Sequence, residues 1–283
     1  MRFLQSRNTL LITSSSFFNP PAGIEYLVVT LVGGGGGGAG GRISSGSPGG
    51  GGGGGGASAF VINVPVWIEN NTLLFISVGS GGAGGPPDQN GFSGAPSFIR
   101  DTVSNKNLLF VGPGQGGFTS DVVLEGGGGG TGGTLEFIND FTPTLSESRG
   151  SNSEFRPRGS IFNTDIINEN FVSASFGPTP FIGYGGSGGG GGGSIGNLSG
   201  QRGGAGGNSA NFTVTAFSSN SPDNSPGSST GGAGGCGPYG GNGDGGNLSP
   251  GMDAVGFGSG GGGGASGFRG GSGSNGVCII SWF

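Results

Sequence analysis

The side chains that carry most protein chemistry are scarce or missing in this chain. Its 283 residues include no histidine, which excludes Ser-His-Asp and Cys-His nucleophile arrangements, imidazole acid–base catalysis and most transition-metal sites. Two cysteines, Cys236 and Cys278, are too few for a four-thiolate metal site or a disulfide framework, and a reduced pair is expected. The carboxylate pairs Asp165/Glu169 and Glu147/Glu154 are of the type a glycosidase uses, but neither spacing nor surroundings separates them from solvated loop charges. Matches to Gly-x-Gly-x-x-Gly arise repeatedly from composition, none opens a helical pattern, and no glycine run leads into Gly-Lys-Ser/Thr, so no phosphate cradle is expected. Gly240-Gly241-Asn242-Gly243-Asp244-Gly245-Gly246-Asn247-Leu248 approaches a calcium-binding nonapeptide, with its aspartate one place early and no repeat of the unit. The chain is therefore read as a non-enzyme, with no catalytic residue, cofactor or metal.

What remains is chemistry of contact. From Thr134 to Ile182 there are just three glycines (150, 159 and 177) and seven phenylalanines (137, 141, 155, 162, 171, 176 and 181), a third of the 21 in the chain. Phenylalanine and arginine are favoured anchors of protein interfaces, which makes Phe141, Arg149, Phe155, Arg156, Arg158 and Phe162 the expected partner-binding residues. Equally, these phenylalanines would cover a core where glycine cannot. The net charge is −5, from 15 acidic and 10 basic residues with a single lysine (Lys106), so no basic stripe is available for nucleic acid. The first residues hold one short apolar run, Leu10 to Ile12, far below a signal-peptide core or a membrane span of about 20 residues.

The elements that would position such contacts are set by glycine, at 78 residues. Runs at 33–38, 49–56, 126–130, 188–193 and 260–264, with 16 prolines and no three-residue repeat, exclude collagen. Apolar residues make up 31% and are gathered into strand-length segments: 24–32, 57–64, 73–78, 96–100, 108–111, 134–138, 212–217 and 277–283. No window keeps a helical period. The 134–182 stretch has no regular strand or helix pattern. The glycine runs between strands are too long for hairpin turns and are expected as extended three-residue helices of polyglycine II type. Such a helix has no internal hydrogen bonds, so its amides and carbonyls must pair with neighbouring copies. Pro21 and Gly23 form the turn into the first strand, Tyr26 begins its apolar run, and the closing strand with Trp282 and Phe283 is expected to bury these aromatics in the same core.

The order Phe17-Phe18, Pro21-Ala22-Gly23-Ile24, the strand Tyr26 to Val32 running into Gly33 to Gly38, Ala57-Ser58-Ala59-Phe60-Val61 and Leu74 to Gly85 resembles the glycine-rich domain of viral structural proteins, including phage tail-fibre adhesins and structural proteins of large DNA viruses. Gly276 to Phe283 is similar to its closing strand. The resemblance implies a rigid building or binding element. The expected fold is all-β, a glycine-rich β-sandwich-like fold with polyglycine-II-type segments and almost no helix. Its expected division is an N-terminal arm (1–23), a glycine-rich β region (24–133), the Phe-rich insertion (134–182) and a second glycine-rich region (183–283). The expected function is that of a virion structural protein, a minor capsid or capsid-associated component. It would be made in the host cytoplasm without signal peptide or transmembrane segment. Its partners would be other virion proteins, with copies of itself also open, and neither nucleic acid nor membrane. A receptor-binding adhesin at a fibre tip, meeting a host-surface receptor, and an ice-binding protein are the other readings.

Overall fold

The computed structural model describes residues 8–43, 49–69, 72–120, 126–133, 231–241, 243–246 and 248–283, and the backbone of short strands at 135–136, 172–176, 179–184, 195–196 and 199–200. Its strands are β1 (Asn8–Ile12), β2 (Ser16–Phe18), β3 (Tyr26–Val32), β4 (Phe60–Trp67), β5 (Leu74–Ser77), β6 (Ser97–Asp101), β7 (Asn107–Val111), β8 (Leu135–Glu136), β9 (Val172–Phe176), β10 (Thr179–Tyr184), β11 (Ile195–Gly196), β12 (Ser199–Gly200) and β13 (Val277–Trp282). The described residues contain no helix. One antiparallel sheet has the order β1-β13-β3-β4-β10-β9, a second the order β2-β5-β6-β7-β8, and β11 and β12 form a small pair.

The two larger sheets face each other because their strands alternate. Leu27, Val29, Leu31, Val61, Val64, Val66, Cys278 and Ile280 from the first sheet and Leu74, Ile76, Ile99, Leu109 and Val111 from the second make one buried apolar layer. The first and last apolar strands are neighbours within it, Val277 opposite Val32 and Ile280 opposite Val29. The terminal aromatics depart from expectation. Trp282 is half-buried against Phe18, with ring centroids 5.6 Å apart, and Phe283, one residue beyond the strand, remains 46% exposed.

Strands also form outside the segments expected to be strands. The stretch read as an N-terminal arm supplies an edge strand to each sheet, since β1 pairs along its whole length with β13 and β2 pairs with β5. The Phe-rich stretch, read without regular structure, holds β9 and the start of β10, which runs across its expected end at Ile182 to Tyr184 and pairs with β4. In these segments the hydrogen-bonded neighbour makes the strand more than local propensity does. The expected strand at 212–217 lies outside the described residues.

At one end of the sandwich the strands run straight into glycine. Beyond Val32 opposite Phe60 the ladder continues, Gly33 donating to Ala59. From there each successive amide turns to a different neighbour. Gly33, Gly36, Ala39 and Arg42 donate to Ala59, Gly56, Gly53 and Gly50, while Gly34, Gly37 and Gly40 donate to Ala95, Phe92 and Gln89. Gly35, Gly38 and Gly41 donate to Ser274, Gly271 and Phe268. The carbonyls answer with the same period: Gly34 and Gly37 accept from Gly114 and Gly117, Gly35 and Gly38 from Gly82 and Gly85, Gly36 and Ala39 from Gly261 and Gly264. These N···O distances run from 2.8 to 3.2 Å. A three-residue rotation of partners is the mark of the polyglycine II helix, and at about 3.1 Å per residue the 33–42 segment is roughly 28 Å long.

The 33–42 segment thus has six neighbours: 49–59, 89–96 and 268–276 antiparallel to it, alternating with 79–88, 112–120 and 258–265 parallel to it. The ring is closed by bonds between its members, such as Phe92 to Ala83, Gly94 to Gly114, Gly56 to Gln115, Gly55 to Gly261, Ser274 to Ser259 and Gly273 to Gly82. The 258–265 segment is a second hub, bonded also to 231–237, 243–246 and 249–255. Close packing explains the composition. A Cβ at Gly34, Gly37 or Gly40 would fall on the carbonyl oxygen of Ser80, Ala83 or Pro86, and one at Gly35, Gly38 or Gly41 on that of Ser259, Gly262 or Ala265.

Candidate contact surface

The helices of the bundle are joined, at the end away from the sandwich, by loops that bring distant residues together. The 33–42 and 49–59 segments turn there, as do 79–88 and 89–96, 112–120 and 126–133, and 258–265 and 268–276. Side chains tie one loop to the next. Arg42 Nη1 donates to the Ser120 carbonyl at 2.6 Å, and the Asp88 carboxylate accepts from the Ile43 amide at 2.7 Å. The Asn90 side-chain oxygen accepts from the Thr119 amide at 2.8 Å, while Ser266 Oγ accepts from the Gly49 amide at 2.6 Å and donates to the Arg42 carbonyl at 2.9 Å. Among the described residues, Arg42, Asp88, Asn90 and Ser266 thus fix neighbouring loops in position.

Between these ties stand large apolar side chains. Ile43, Phe118, Leu248 and Phe268 are exposed at the loop end, with Phe92 and Met252 exposed along the adjoining bundle sides. Single exposed apolar residues are ordinary, but several carried on tied loops at one end make that end a candidate contact surface. Sequence reasoning missed them because each is one apolar residue at the edge of a glycine run. The available signal was that position: where a close-packed glycine helix ends, a large side chain has nowhere to go but out.

A second surface lies on the outward face of the β2-β5-β6-β7-β8 sheet. Phe17 lies opposite Phe75, with centroids 5.2 Å apart, and Phe75 is 6.1 Å from Phe98, which in turn lies opposite Phe110. The Arg100 guanidinium sits 4.9 Å over the Phe98 ring, and its Nε donates to the Asn107 side-chain oxygen at 2.8 Å.

Of the residues singled out in the sequence, Phe141, Arg149, Phe155, Arg156, Arg158 and Phe162 lie outside the described residues, as do the carboxylates at 147, 154, 165 and 169. Pro21 and Gly23 form the exposed turn into β3, the Pro21 carbonyl accepting from the Ile24 amide and Gly23 taking φ +84°. Tyr26 is an exposed flank of that strand, packed on Trp67 at 5.4 Å. Cys236 and Cys278 are not joined in a disulfide, and burial pushes the Cys278 thiol far above its ordinary range, so it acts as a core residue. The 243–246 segment of the calcium-like stretch is a bundle helix whose Asp244 carbonyl accepts from Met252. No group of three or more metal-ligating side chains is gathered among the described residues, and no helix there is long and apolar enough to cross a membrane.

Two antiparallel sheets feeding a close-packed polyglycine bundle define an all-β protein whose glycines are structural. The family model of the glycine-rich domain matches residues 12–283, and the chain belongs to that family. No curated protein matches it.

Proposed function

We propose that the protein is a non-enzymatic structural component of a virus particle, working through protein–protein contacts. The observation that carries this reading is the bundle itself. Its interior is filled by backbone, a Cβ at Gly36 falling on the Gln115 carbonyl and one at Gly38 on that of Gly262, so it serves as a rigid spacer between the sandwich and the loop end. Such a spacer suits a building element that fixes distances in an assembly. The viral setting rests on the resemblance of the strand and turn residues to structural proteins of viruses. Quantitative mass spectrometry of purified particles tests it: a fixed copy number per particle is expected, and absence from particles produced by infected cells would overturn it.

A second reading, a receptor-binding adhesin, is favoured by the loop end, where Ile43, Phe118, Leu248 and Phe268 are exposed and hydrogen bonds of Arg42, Asp88, Asn90 and Ser266 tie neighbouring loops. Binding of the purified chain to host cells, competing with particle attachment, is the outcome that would select it. The ice-binding reading needs one broad flat face of small side chains. Outward positions supply Ser80, Ala83 and Pro86 on one helix, but Phe92, Gln115, Phe118, Met252 and Val255 on others, which favours the first two readings.

A further inference from the structure

Among the described residues, β1 at the edge of the larger sheet carries no lysine, proline, bulge or inward charge of the kind that keeps a sheet edge from pairing. β1 is bonded through all five residues to β13 on one side, in unbroken register, and is the last strand in the sheet order on the other. An edge strand leaves alternate amides and carbonyls for water or for another strand, and soluble proteins guard such edges with lysine, proline, a bulge or an inward charge. Asn8-Thr9-Leu10-Leu11-Ile12 has no charge, no proline and no bulge, and exposes Leu10 (37%) and Leu11 (59%). The same flank includes β2, the edge of the second sheet, reached through residues 13–15 and exposing Phe17 (65%). From Asn8 to Ile24 no residue is charged. Phe18 and Trp282 close the gap between the sheets beneath this flank, so the edge is backed by a packed layer.

We propose that β1 is a pairing edge and that its occupant is β1 of a second copy of this chain, joined antiparallel about Leu10. That register sets Leu10 opposite Leu10 of the partner copy, Thr9 opposite Leu11 and Asn8 opposite Ile12, so the strand is its own complement. No charge is buried and no like charges meet. Leu10 aligns with buried Ile280 and Ile12 with buried Cys278, which puts Asn8, Leu10 and Ile12 on the core side and Thr9 and Leu11 on the outer side. Pairing therefore continues the apolar layer across the junction and covers Leu11 with the partner's Thr9. A two-fold axis through Leu10 closes the assembly at two copies and joins the two six-stranded sheets into one. A five-residue strand with its flanking aromatics buries less than the ~800 Å² per partner of a standard stable complex, so the association belongs in the micromolar range.

The test is sedimentation equilibrium of the full chain over about 1 to 200 µM, spanning the affinity expected of a contact this small. A monomer–dimer equilibrium is expected, and Leu11→Lys should weaken it at least tenfold without lowering the melting temperature, because Leu11 is largely outside the fold's own core. Leu10→Cys should oxidise to an inter-chain disulfide, whereas Asn8→Cys, which faces Ile12 and not its own copy, should not exceed the wild-type background set by Cys236 and Cys278. A chain that stays monomeric throughout overturns the proposal, as it would if the edge instead takes a strand from another protein. A dimer in which Leu10→Cys fails to cross-link, or cross-links no better than Asn8→Cys, also overturns it. That comparison decides the matter even if Leu11→Lys does not fold.

Discussion

At the scale of single residues, position within the bundle decides how much a side chain matters. Gly36 donates to Gly56, accepts from Gly261, and would drive a Cβ onto the Gln115 carbonyl, with backbone on every side and no flexible atom to yield. Gly36→Ala should therefore cost about 3 kcal/mol or more in denaturant unfolding, at the upper end of overpacking penalties, or prevent folding. Gly52→Val, aimed at the Ala39 carbonyl, should be worse. Ala39, by contrast, shows that a methyl is accepted at a bundle position where a neighbour leaves room, since it is fully buried in the same helix. If Gly36→Ala melts with the parent, the close approach is wrong. Asp101 gives a residue-scale effect of pH. It ends β6 and accepts from the Val103 amide at 2.8 Å, the Ser104 amide at 3.3 Å and the Ser104 hydroxyl at 2.5 Å. The Ser104 hydroxyl bond is the largest influence and holds the carboxyl below its ordinary value, against a smaller opposing effect of burial. A depressed folded-state value means that the stabilisation is present above the unfolded pKa and is lost as pH falls through the folded one. Asp101→Asn should thus lower stability at neutral pH and flatten the loss of stability as pH falls below the ordinary carboxylate value of about 3.9, read from urea midpoints at successively lower pH.

At the scale of elements, the bundle should behave as a set of hydrogen-bonded helices and not as linkers. Gly36, Gly53, Gly56 and Gly261 are buried and their amides are each paired, and hydrogen exchange should find them protected to nearly the same degree as β3. Uniformly fast exchange over 49–56 would refute the bundle. β13 gives a second outcome: it lies between β1 and β3 and aligns Cys278 with Leu31 and Ile280 with Val29, so removing 277–283 takes a central strand and should abolish soluble expression. A soluble, heat-resistant truncation would contradict that. The apolar strands were legible because β-branched runs such as Tyr26 to Val32 speak locally, and the glycine helices because unsatisfied backbone must find a partner. What was not legible depends on partners far along the chain. β1 is a strand because β13 lies beside it, 272 residues from Thr9 to Ser281, and no five-residue window reports that. The hexagonal order around 33–42 was equally hidden, since glycine carries no mark of which neighbour it faces. The loop-end residues Ile43, Phe118 and Phe268 gained meaning once the helices were aligned and their turns fell together.

At the scale of the whole molecule, the bundle separates the sandwich from the loop end, and the proposed role is one of contact. Two parts of the chain are then candidates for the main contact: the loop end, and the Phe- and Arg-rich stretch that includes Phe155 and Arg156, which lies outside the described residues. Anchors of this kind cost about 2 kcal/mol or more each on truncation, roughly thirtyfold in affinity, whereas rim positions cost almost nothing. Phe118 and Phe268 are exposed, so their removal should leave the bundle intact, and the inter-loop bonds of Arg42, Asp88 and Ser266 should still hold the tips in place. Phe118→Ala with Phe268→Ala should then melt within a degree or two of the parent while binding to its partner falls by thirtyfold or more. Phe155→Ala with Arg156→Ala is the matching variant for the other candidate. Particle incorporation and cell attachment, measured separately for each pair, separate the readings. Loss of incorporation in the Phe155/Arg156 pair, with attachment unchanged in the loop-end pair, is the result expected of a building element. Normal incorporation of both pairs with attachment lost in the loop-end pair makes the protein an adhesin, and equal behaviour of both pairs to the parent removes surface contact at either place as its mode of action.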